Sequence, residues 1–432
     1  MAAMILITCI FAVLYVLLLL YYRFVWSSVP EYHDNRRRGS EPPTGFELPD
    51  EQAVNSSTEH NSRRGWEPPT GFISVIIPAR NEEQNIAACL DSIKDQFYPK
   101  ALFEVIVVDD HSDDDTAAIV KKYSAFNITL ICLRDHVADR INSYKKKAIE
   151  IAIAKAKGTL IVTTDADCYL PRNWLSTIAA FYEEKKPAFI AAPVAIDCNN
   201  RFIEIFQSLD FMTLQGITGA VVSKKQMTMC NGANMAYERA AFYEVNGFAG
   251  IDNIASGDDM LLMYKIFERY PERVLFLKSA DAIVHTEPVH SIKQFFNQRI
   301  RWASKSGKYK DKRILPVLVL VYLFNSLLLA LPVISIFNND GLSFIYQPPS
   351  GLRAADGFSI ASWATTFNTW LFLLLLKTIA ELFFLFPVAK FFHKRPLLWL
   401  FPLMQPFHIL YTVIAGWLGV FGKYTWKDRR VS

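Results

Sequence analysis

One pair of acidic residues follows a short apolar run in the middle of the chain, where carboxylates commonly meet a ligand. Asp165 and Asp167 come directly after the apolar residues 160–162. This run predicts a buried strand, and the carboxyl ends of strands in an open α/β sheet form the ligand crevice. Because the two acids are two residues apart, they lean to the same side of an extended chain, which suits a divalent cation carrying substrate phosphates. The alternative is a turn in which Asp accepts backbone N–H bonds.

A second acidic pair, Asp258 and Asp259, begins a helical pattern that continues through residues 263–268. Carboxylates in a first helical turn are favoured by the helix dipole, so helix capping is one interpretation. The other is catalytic, because a carboxylate can take the proton of an acceptor hydroxyl as a new bond forms. His285 follows a predicted strand at residues 282–284 and is either a third metal ligand or a hydrogen-bonded histidine.

Three further candidates share one face of a predicted amphipathic helix at about residues 291–306: Gln298, Arg301 and Trp302. A guanidinium group can stabilise a leaving group that gains negative charge. An indole ring offers a flat apolar surface on which a ligand can stack, although a tryptophan buried at a membrane interface is the alternative interpretation.

The elements that must position these residues alternate between strands and helices from residue 73 onward. Strands are predicted at residues 73–77, 104–108, 128–133 and from 160, and helices at about residues 82–97, 114–123 and 144–157. This alternation predicts a parallel sheet with right-handed crossovers. Neither GxGxxG nor GxxxxGK[ST] follows these strands, so carboxylates, backbone groups and a metal ion would have to hold a nucleotide. The pattern then loosens into a helix at residues 173–184, a strand at 188–194 and a long helix at about 201–217.

Four apolar stretches have the length of membrane spans, at residues 4–22, 315–337, about 366–389 and 397–421. The first is interpreted as an anchor, because no basic region precedes it and no small-residue cleavage site follows it. Basic residues flank the middle of the chain on both sides: Arg36, Arg37, Arg38, Arg63 and Arg64 before it, and Lys305, Lys308, Lys310, Lys312 and Arg313 after it. The positive-inside rule therefore predicts that both flanks of the middle domain lie in the cytoplasm, and we expect a multi-pass protein of the cell (inner) membrane.

The basic tail conflicts with three complete C-terminal spans, because its residues would then lie outside: Lys423, Lys427, Arg429 and Arg430. We therefore expect two to three spans there. The pattern divides the chain into an N-terminal anchor at residues 1–25, a flexible linker at 26–72, a catalytic domain at 73–290, an interfacial helix at 291–312 and a membrane region at 313–432.

The linker is rich in polar residues and repeats RRGSEPPTGF as RRGWEPPTGF, a duplication to which we assign no function. The six cysteines form no CxxC pair, which predicts reduced residues without a disulfide framework or a zinc site. The net charge is only +4 and no basic motif is interleaved with aromatic residues, so nucleic acid is not an expected partner.

Taken together, the segments PARNEE, VVDDHS, TTDADC, NGAN, GDD and QRIRW resemble the membrane-integrated family-2 glycosyltransferases, which include cellulose, hyaluronan and poly-N-acetylglucosamine synthases and ceramide glucosyltransferases. The resemblance covers about residues 73–306. It implies a GT-A domain, that is, a Rossmann-like α/β fold with a mostly parallel sheet, beside α-helical transmembrane segments. It also implies inverting transfer of a sugar from a nucleotide sugar, expected to be a UDP-sugar, with Mg²⁺ or Mn²⁺ as cofactor.

The resemblance assigns a role to each matching residue. The residues that would bind the nucleotide are Pro78, Ala79, Glu82, Asp110, Lys145 and Asp165. Asp167 would ligate the cation, with Asp165 beside it. Asp259 occupies the position of the catalytic base, while Asp258 stands where Glu is commoner. Gln298, Arg301 and Trp302 fit the Q-x-x-R-W motif of the family at the acceptor and diphosphate, where Arg301 would serve the diphosphate and Trp302 would form a stacking floor for the acceptor.

The acceptor is expected to be a glycan or a lipid. A lipid is included because three C-terminal spans and one anchor are few for a monomer that exports a polymer through a channel. Membrane lipids and a partner membrane subunit are the other expected partners. An alternative function is an inactive, transferase-like scaffold or transport component. Against it, every acid that the chemistry needs is present, and the intramembrane charges that would mark a transport path are few: Lys377, Glu381 and Lys390. A nucleotidyltransferase also uses strand-end acids and metal, but QRIRW is not typical of one.

Overall fold

The computed structural model describes residues 2–34, 71–137, 141–254, 257–304, 310–335, 360–421, 424–426 and 429–431. The chain forms two compact units. Unit 1 comprises Met1–Val29, Ile196–Met227 and Pro288–Ser432, and unit 2 comprises Pro30–Ala195 and Thr228–Glu287. Residues 35–70, which make up most of the expected linker, lie outside the described residues.

The helices are numbered along the whole chain: α1 (Ala2–Ser28), α2 (Ile86–Lys94), α3 (Thr116–Lys121), α4 (Tyr144–Lys155), α5 (Trp174–Lys185), α6 (Phe202–Ser223), α7 (Arg239–Glu244), α8 (Met260–Arg269), α9 (Ile292–Ala303), α10 (Leu315–Ser335), α11 (Ile360–Phe391) and α12 (Phe401–Phe421). The strands are β1 (Ile73–Ala79), β2 (Phe103–Asp109), β3 (Ile128–Cys132), β4 (Leu160–Thr163), β5 (Cys168–Tyr169), β6 (Phe189–Ala191), β7 (Val194–Ile196), β8 (Met235–Glu238), β9 (Val274–Phe276), β10 (Val284–Thr286), β11 (Tyr424–Trp426) and β12 (Arg429–Val431).

Unit 2 is built on a seven-stranded sheet with the order β3-β2-β1-β4-β8-β6-β9. The pairs β3-β2, β2-β1, β1-β4 and β6-β9 are parallel, whereas β8 runs antiparallel to both of its neighbours. The expected α/β class with a mostly parallel sheet is therefore confirmed. The antiparallel β8 was not expected, because its pairing depends on contacts far apart in sequence. A second sheet has the order β5-β10-β7.

The central strands of unit 2 are buried on both faces, which explains why their sequences are apolar runs rather than alternating patterns. Helix α4 packs against β1 and β2. It buries Ala148, Ile149, Ala152 and Ile153, whose spacing of three and four residues places them on one helical face. This packing holds α4 against the middle of the sheet, and Lys145 lies in the first turn of the helix.

Unit 1 contains α1, α6 and α9–α12. Within the described part of the chain, four helices are long and apolar enough to cross a membrane: Ala3–Ser28, Lys312–Ile334, Thr366–Phe391 and Arg395–Gly419. They coincide with the four apolar stretches of the sequence. In this unit α1 packs against α10 and α11, and α9 packs against α12. Helix α6 also belongs to unit 1, although its residues lie within the range expected for the catalytic domain.

Candidate active site

The ends of β1 and β2 form the first part of the site in unit 2. Pro78 and Ala79 are the last residues of β1, and the Asp110 backbone N–H donates to the Ala79 carbonyl at 2.7 Å. Asp110 is buried, and its Oδ1 lies 3.0 Å from Nδ1 of His111. Asn81 and His111 both have positive φ angles, of 50° and 54°, which are uncommon for residues with a side chain. Both strands therefore end in sharp, defined turns.

Hydrogen bonds join these two turns. The Glu82 backbone N–H donates to Thr116 Oγ1 at 2.8 Å, and Arg80 Nη1 donates to the Asp110 carbonyl at 2.8 Å. The Asn81 backbone N–H donates to Ser112 Oγ at 3.0 Å. The structure thus brings the predicted nucleoside residues together on two adjacent loops.

The segment after β4 turns sharply at the first acidic pair. The Cys168 backbone N–H donates to the Asp165 carbonyl at 3.2 Å, and the Cys89 thiol donates to the same carbonyl at 3.7 Å. Burial raises the pKa of Cys89, with further help from the carboxylates of Asp167 and Asp165, so the thiol stays neutral. The turn is therefore made with the backbone carbonyl of Asp165. The Asp165 carboxylate is partly exposed and Asp167 is exposed.

Lys145 connects the two acidic pairs. Its Nζ lies 2.7 Å from Asp165 Oδ1 and 3.2 Å from Asp258 Oδ2. Burial by itself would lower the pKa of Lys145, but the carboxylates of Asp165 and Asp258 outweigh it and raise the pKa above its ordinary value. Lys145 therefore carries its positive charge between two acids that are far apart in sequence.

The bend before β8 allows this arrangement. A Cβ atom on Gly232 would lie 3.2 Å from Asp258 Oδ2, which is tighter than most Cβ contacts, and 3.4 Å from Lys145 Nζ. The bend is fixed by Asn234, which is fully buried. Its Nδ2 donates to the Pro193 carbonyl at 2.7 Å, and its Oδ1 accepts from Trp174 Nε1 at 2.9 Å. The sequence predicted the bend but not the close approach to Asp258 and Lys145.

Asp258 and Asp259 differ in their surroundings. Asp258 is buried, and its carboxylate faces Lys145. Asp259 is only partly buried and caps α8, because its Oδ1 accepts from the Met260 backbone N–H at 2.7 Å. The capping interpretation is thus correct for Oδ1 of Asp259. The residue is still partly exposed, so capping does not exclude a catalytic role for its carboxylate.

The expected metal ligands were Asp165, Asp167 and His285. Among the described residues, no group of three or more His, Cys, Asp and Glu side chains is placed to hold a metal ion. His285 lies in β10, where it is in register with Tyr169 of β5, and it does not form such a group with Asp165 and Asp167. The two carboxylates nevertheless suit Mg²⁺ or Mn²⁺, since such ions at nucleotides commonly take one or two carboxylates and complete their shell with phosphate oxygens and water.

The QRIRW segment lies in α9, which belongs to unit 1. Gln298, Arg301 and Trp302 are all partly buried. The guanidinium group of Arg299, a residue that sequence reasoning did not select, lies 4.2 Å from the centre of the Trp302 ring. Arg299 Nη2 lies 2.7 Å from Asp210 Oδ2 in α6. The expected convergence of QRIRW with the acids of unit 2 stays a prediction.

Comparison with known proteins identifies the family. Residues 74–245 match Glycosyl transferase family 2, and residues 160–418, more than half of the chain, match Glycosyl transferase family group 2. The chain belongs to the family 2 glycosyltransferases. The enzyme class expected from the sequence is thereby confirmed.

Several named relatives are themselves glycosyltransferases. Glycosyltransferase AglE of Haloferax volcanii is 36% identical over 104 residues, which are 24% of this chain and 33% of that protein. The probable glycosyltransferase YdaM of Bacillus subtilis is 26% identical over 239 residues, 54% of each chain. An N-acetylglucosaminyltransferase of Rhizobium meliloti is 26% identical over 244 residues, also 54% of each. The matched part of this family 2 glycosyltransferase therefore spans from a third to about half the length of these relatives.

Among solved structures, the mannosyltransferase PcManGT from Pyrobaculum calidifontis, in complex with GDP-Man and Mn²⁺, is similar with a TM-score of 0.50. The likeness covers 88% of this chain and 98% of that chain at 18% sequence identity. At this identity the likeness bears on the fold alone, and it confirms the expected GT-A architecture.

Proposed function

We propose that this family 2 glycosyltransferase moves a sugar from a UDP-sugar to a glycan or lipid acceptor, with inversion and with Mg²⁺ or Mn²⁺, at the cytoplasmic face of the membrane. The observation that supports it most strongly is the position of Lys145 between Asp165 and Asp258, because it unites the two acidic segments that the reaction requires. A protein of the same fold binds GDP-Man with Mn²⁺, which is consistent with a nucleotide sugar and a divalent cation.

The donor nucleoside is assigned to the joined loops after β1 and β2. Pro78, Ala79 and Glu82 would line it, and the buried Asp110 carboxylate would accept a hydrogen bond from the N–H of the base. A buried carboxylate rejects a base that lacks a matching donor, since its oxygen would then be left unsatisfied. This contact would make Asp110 a determinant of nucleotide choice.

The diphosphate is assigned to the region around Asp165, Asp167 and Lys145. Asp167, which is exposed, and Asp165 would hold a divalent cation, which neutralises the negative charge that develops on the leaving diphosphate. The ammonium of Lys145 lies beside Asp165 and is placed to donate to phosphate oxygens on the same side. Arg301 and Trp302 keep the roles that the family resemblance gives them, at the diphosphate and the acceptor.

Asp259 is the proposed general base. Its carboxylate is more accessible than that of Asp258, which is buried and neutralised by Lys145. A carboxylate that takes the acceptor proton on the face opposite the leaving group gives inversion at the sugar carbon. Asp258 would instead hold Lys145 and the start of α8 in place.

Two of the three intramembrane charges that would mark a transport path pair with each other. Lys377 Nζ lies 2.6 Å from Glu381 Oε1 and 2.8 Å from Gln405 Oε1, and all three residues are buried. Tyr15 also donates to Glu381. These hydrogen bonds link α1, α11 and α12 of unit 1, and polar contacts of this kind stabilise the association of apolar helices. The third charge, Lys390, is exposed. We therefore prefer the enzymatic function to the transport alternative.

Membranes that contain the full-length protein provide the test. Incubation with radiolabelled UDP-sugars and Mn²⁺ or Mg²⁺ should incorporate label, and organic extraction should separate a lipid product from a retained glycan. Chelation should abolish incorporation, and Asp167→Asn should lower it by about 100-fold or more. Asp95→Asn, which removes an exposed carboxylate at the end of α2, should behave as the wild type. Undiminished incorporation by Asp167→Asn would contradict the proposal.

A further inference from the structure

Three consecutive lysines at the start of α4 have entirely different surroundings. Lys145 lies between Asp165 and Asp258. Lys146 is only 2% exposed. Lys147 is exposed and lies 2.8 Å from Glu150 of the same helix. Successive residues of a helix point in directions about 100° apart, so one residue type serves three environments.

Lys146 donates hydrogen bonds to the backbone of a distant segment. Its Nζ donates to the carbonyl of Ile251 and to the carbonyl of Ile254, each at 2.7 Å. Burying an ammonium group is costly unless hydrogen bonds replace its water, and these two carbonyls supply such bonds. The side chain thus ties the chain at residues 251–254 to α4.

The tied segment leads directly into the second acidic pair. Ile251 is buried, the Ile254 backbone N–H donates to the Ile251 carbonyl at 3.3 Å, and Gly257 has a positive φ of 84°. Asp258 and Asp259 follow at once. Helix α4 therefore holds this part of the chain twice, through the backbone by Lys146 and through the side chain of Asp258 by Lys145.

We propose that Lys146 is a positioning residue for sugar transfer: it fixes the backbone that carries Asp259, and so sets the place of the general base. The proposal rests on the transferase function proposed above. Lys146 acts through the segment it holds, by its two hydrogen bonds to the carbonyls of Ile251 and Ile254. A small displacement of a reacting group costs a large factor in rate, so the loss of this tie lowers kcat more than it weakens donor binding.

The test compares Lys146→Met with Lys147→Met in the full-length protein in detergent. Both changes remove one ammonium group from the same helical turn and keep a side chain of similar length. Lys146→Met is expected to lower kcat by about 10- to 100-fold with the donor KM changed by less than about threefold. Lys147→Met is expected to match the wild type. A kcat for Lys146→Met within twofold of the Lys147→Met value would overturn the proposal.

Hydrogen exchange supplies a second readout that does not require a known acceptor. Exchange at residues 251–254 and 257–260 should rise in Lys146→Met and stay unchanged in Lys147→Met, while the strands of the central sheet remain protected in both. A uniform rise across unit 2 would show a general loss of stability and would overturn the positioning role. If the wild type and Lys147→Met both fail to transfer sugar, the proposed function is wrong, and the exchange pattern still decides whether Lys146 fixes this segment.

A second variant covers the case in which Lys146→Met does not accumulate as folded protein. Lys146→Arg keeps the charge and the N–H donors but alters their reach, and it should lower kcat by about 3- to 10-fold with an unchanged donor KM. A raised donor KM with an unchanged kcat would contradict the proposal, because it would place Lys146 in donor binding.

Discussion

The ammonium group of Lys145 lies 3.2 Å from the carboxylate of Asp258, so the first turn of α4 and the residues before α8 share a charge pair. The same ammonium lies 2.7 Å from Asp165. Both acidic segments of unit 2 therefore depend on one lysine. A diphosphate that binds beside Asp165 would compete with these carboxylates for Lys145, because phosphate oxygens accept strong hydrogen bonds from an ammonium group.

Replacing Lys145 should reduce both stability and activity. Lys145→Met leaves Asp258, whose side chain is 9% exposed, without its counter-charge. Breaking a buried pair on one side costs about 3–5 kcal/mol, and the partial exposure of Lys145 and Asp165 reduces the expected loss to about 2–4 kcal/mol. Thermal unfolding in detergent measures this loss, and sugar transfer should fall by about 100-fold or more.

A double-mutant cycle separates the two effects. Adding Asp258→Asn to Lys145→Met removes the uncompensated charge, so part of the stability should return while transfer stays low. If the two changes reduce the free energy of unfolding additively, the Lys145–Asp258 ion pair does not stabilise the folded protein, contrary to this account.

Gly232 should be sensitive to an added methyl group. Gly232→Ala would place a Cβ atom 3.2 Å from Asp258 Oδ2 and 3.4 Å from Lys145 Nζ, so the Asp258 carboxylate would have to move by a few tenths of an ångström. We expect a loss of about 1–3 kcal/mol in stability. We also expect a loss of about tenfold or more in kcat/KM, because the charged groups of the site are displaced. Gly71→Ala is the control, since among the described residues no atom beyond its chain neighbours lies within 4 Å of its added Cβ. Equal kinetics for the two variants would show that Gly232 is not constrained.

Asp210 should be required for the stability of unit 1. Arg299 is 4% exposed, and Asp210→Asn would remove the negative partner 2.7 Å from its Nη2. The expected loss is about 3–5 kcal/mol, because a buried guanidinium charge is left uncompensated. Thermal unfolding measures this loss of stability. The fluorescence of Trp302 should also shift, because the Arg299 guanidinium lies over that ring. Subtracting the spectrum of Trp302→Phe isolates the Trp302 signal. Asp197→Asn is the control, since Asp197 is largely exposed and lies 4.0 Å from Lys394. A melting temperature of Asp210→Asn equal to that of the control would refute this account.

The sequence alone predicted the elements whose signals are local. The apolar run before Asp165 was correctly predicted as a strand, and the predicted helix starting at Tyr144 is α4. The four apolar stretches became four long helices. In each case a run of neighbouring residues carries the information, through apolar periodicity or through length.

Contacts between distant segments could not be predicted in the same way. Lys145, Lys146 and Lys147 are identical in type and adjacent, and only the packing of α4 against the sheet decides which one meets Asp258, which one meets the carbonyl of Ile251 and which one meets solvent. The antiparallel direction of β8 and the crowding at Gly232 likewise arise from segments that meet only in the folded chain. Local propensity carries no signal for such contacts.

Asp259→Asn tests the central claim most directly, because this change removes the proposed base and keeps an oxygen that can cap α8. Calorimetric titration of the full-length variant with UDP and Mn²⁺ should give a Kd within about threefold of the wild-type value, whereas transfer from the labelled UDP-sugar should fall by about 10²- to 10⁴-fold. Transfer at the wild-type rate, or loss of nucleotide binding in parallel with transfer, would contradict the assignment of Asp259 as the general base of this glycosyltransferase.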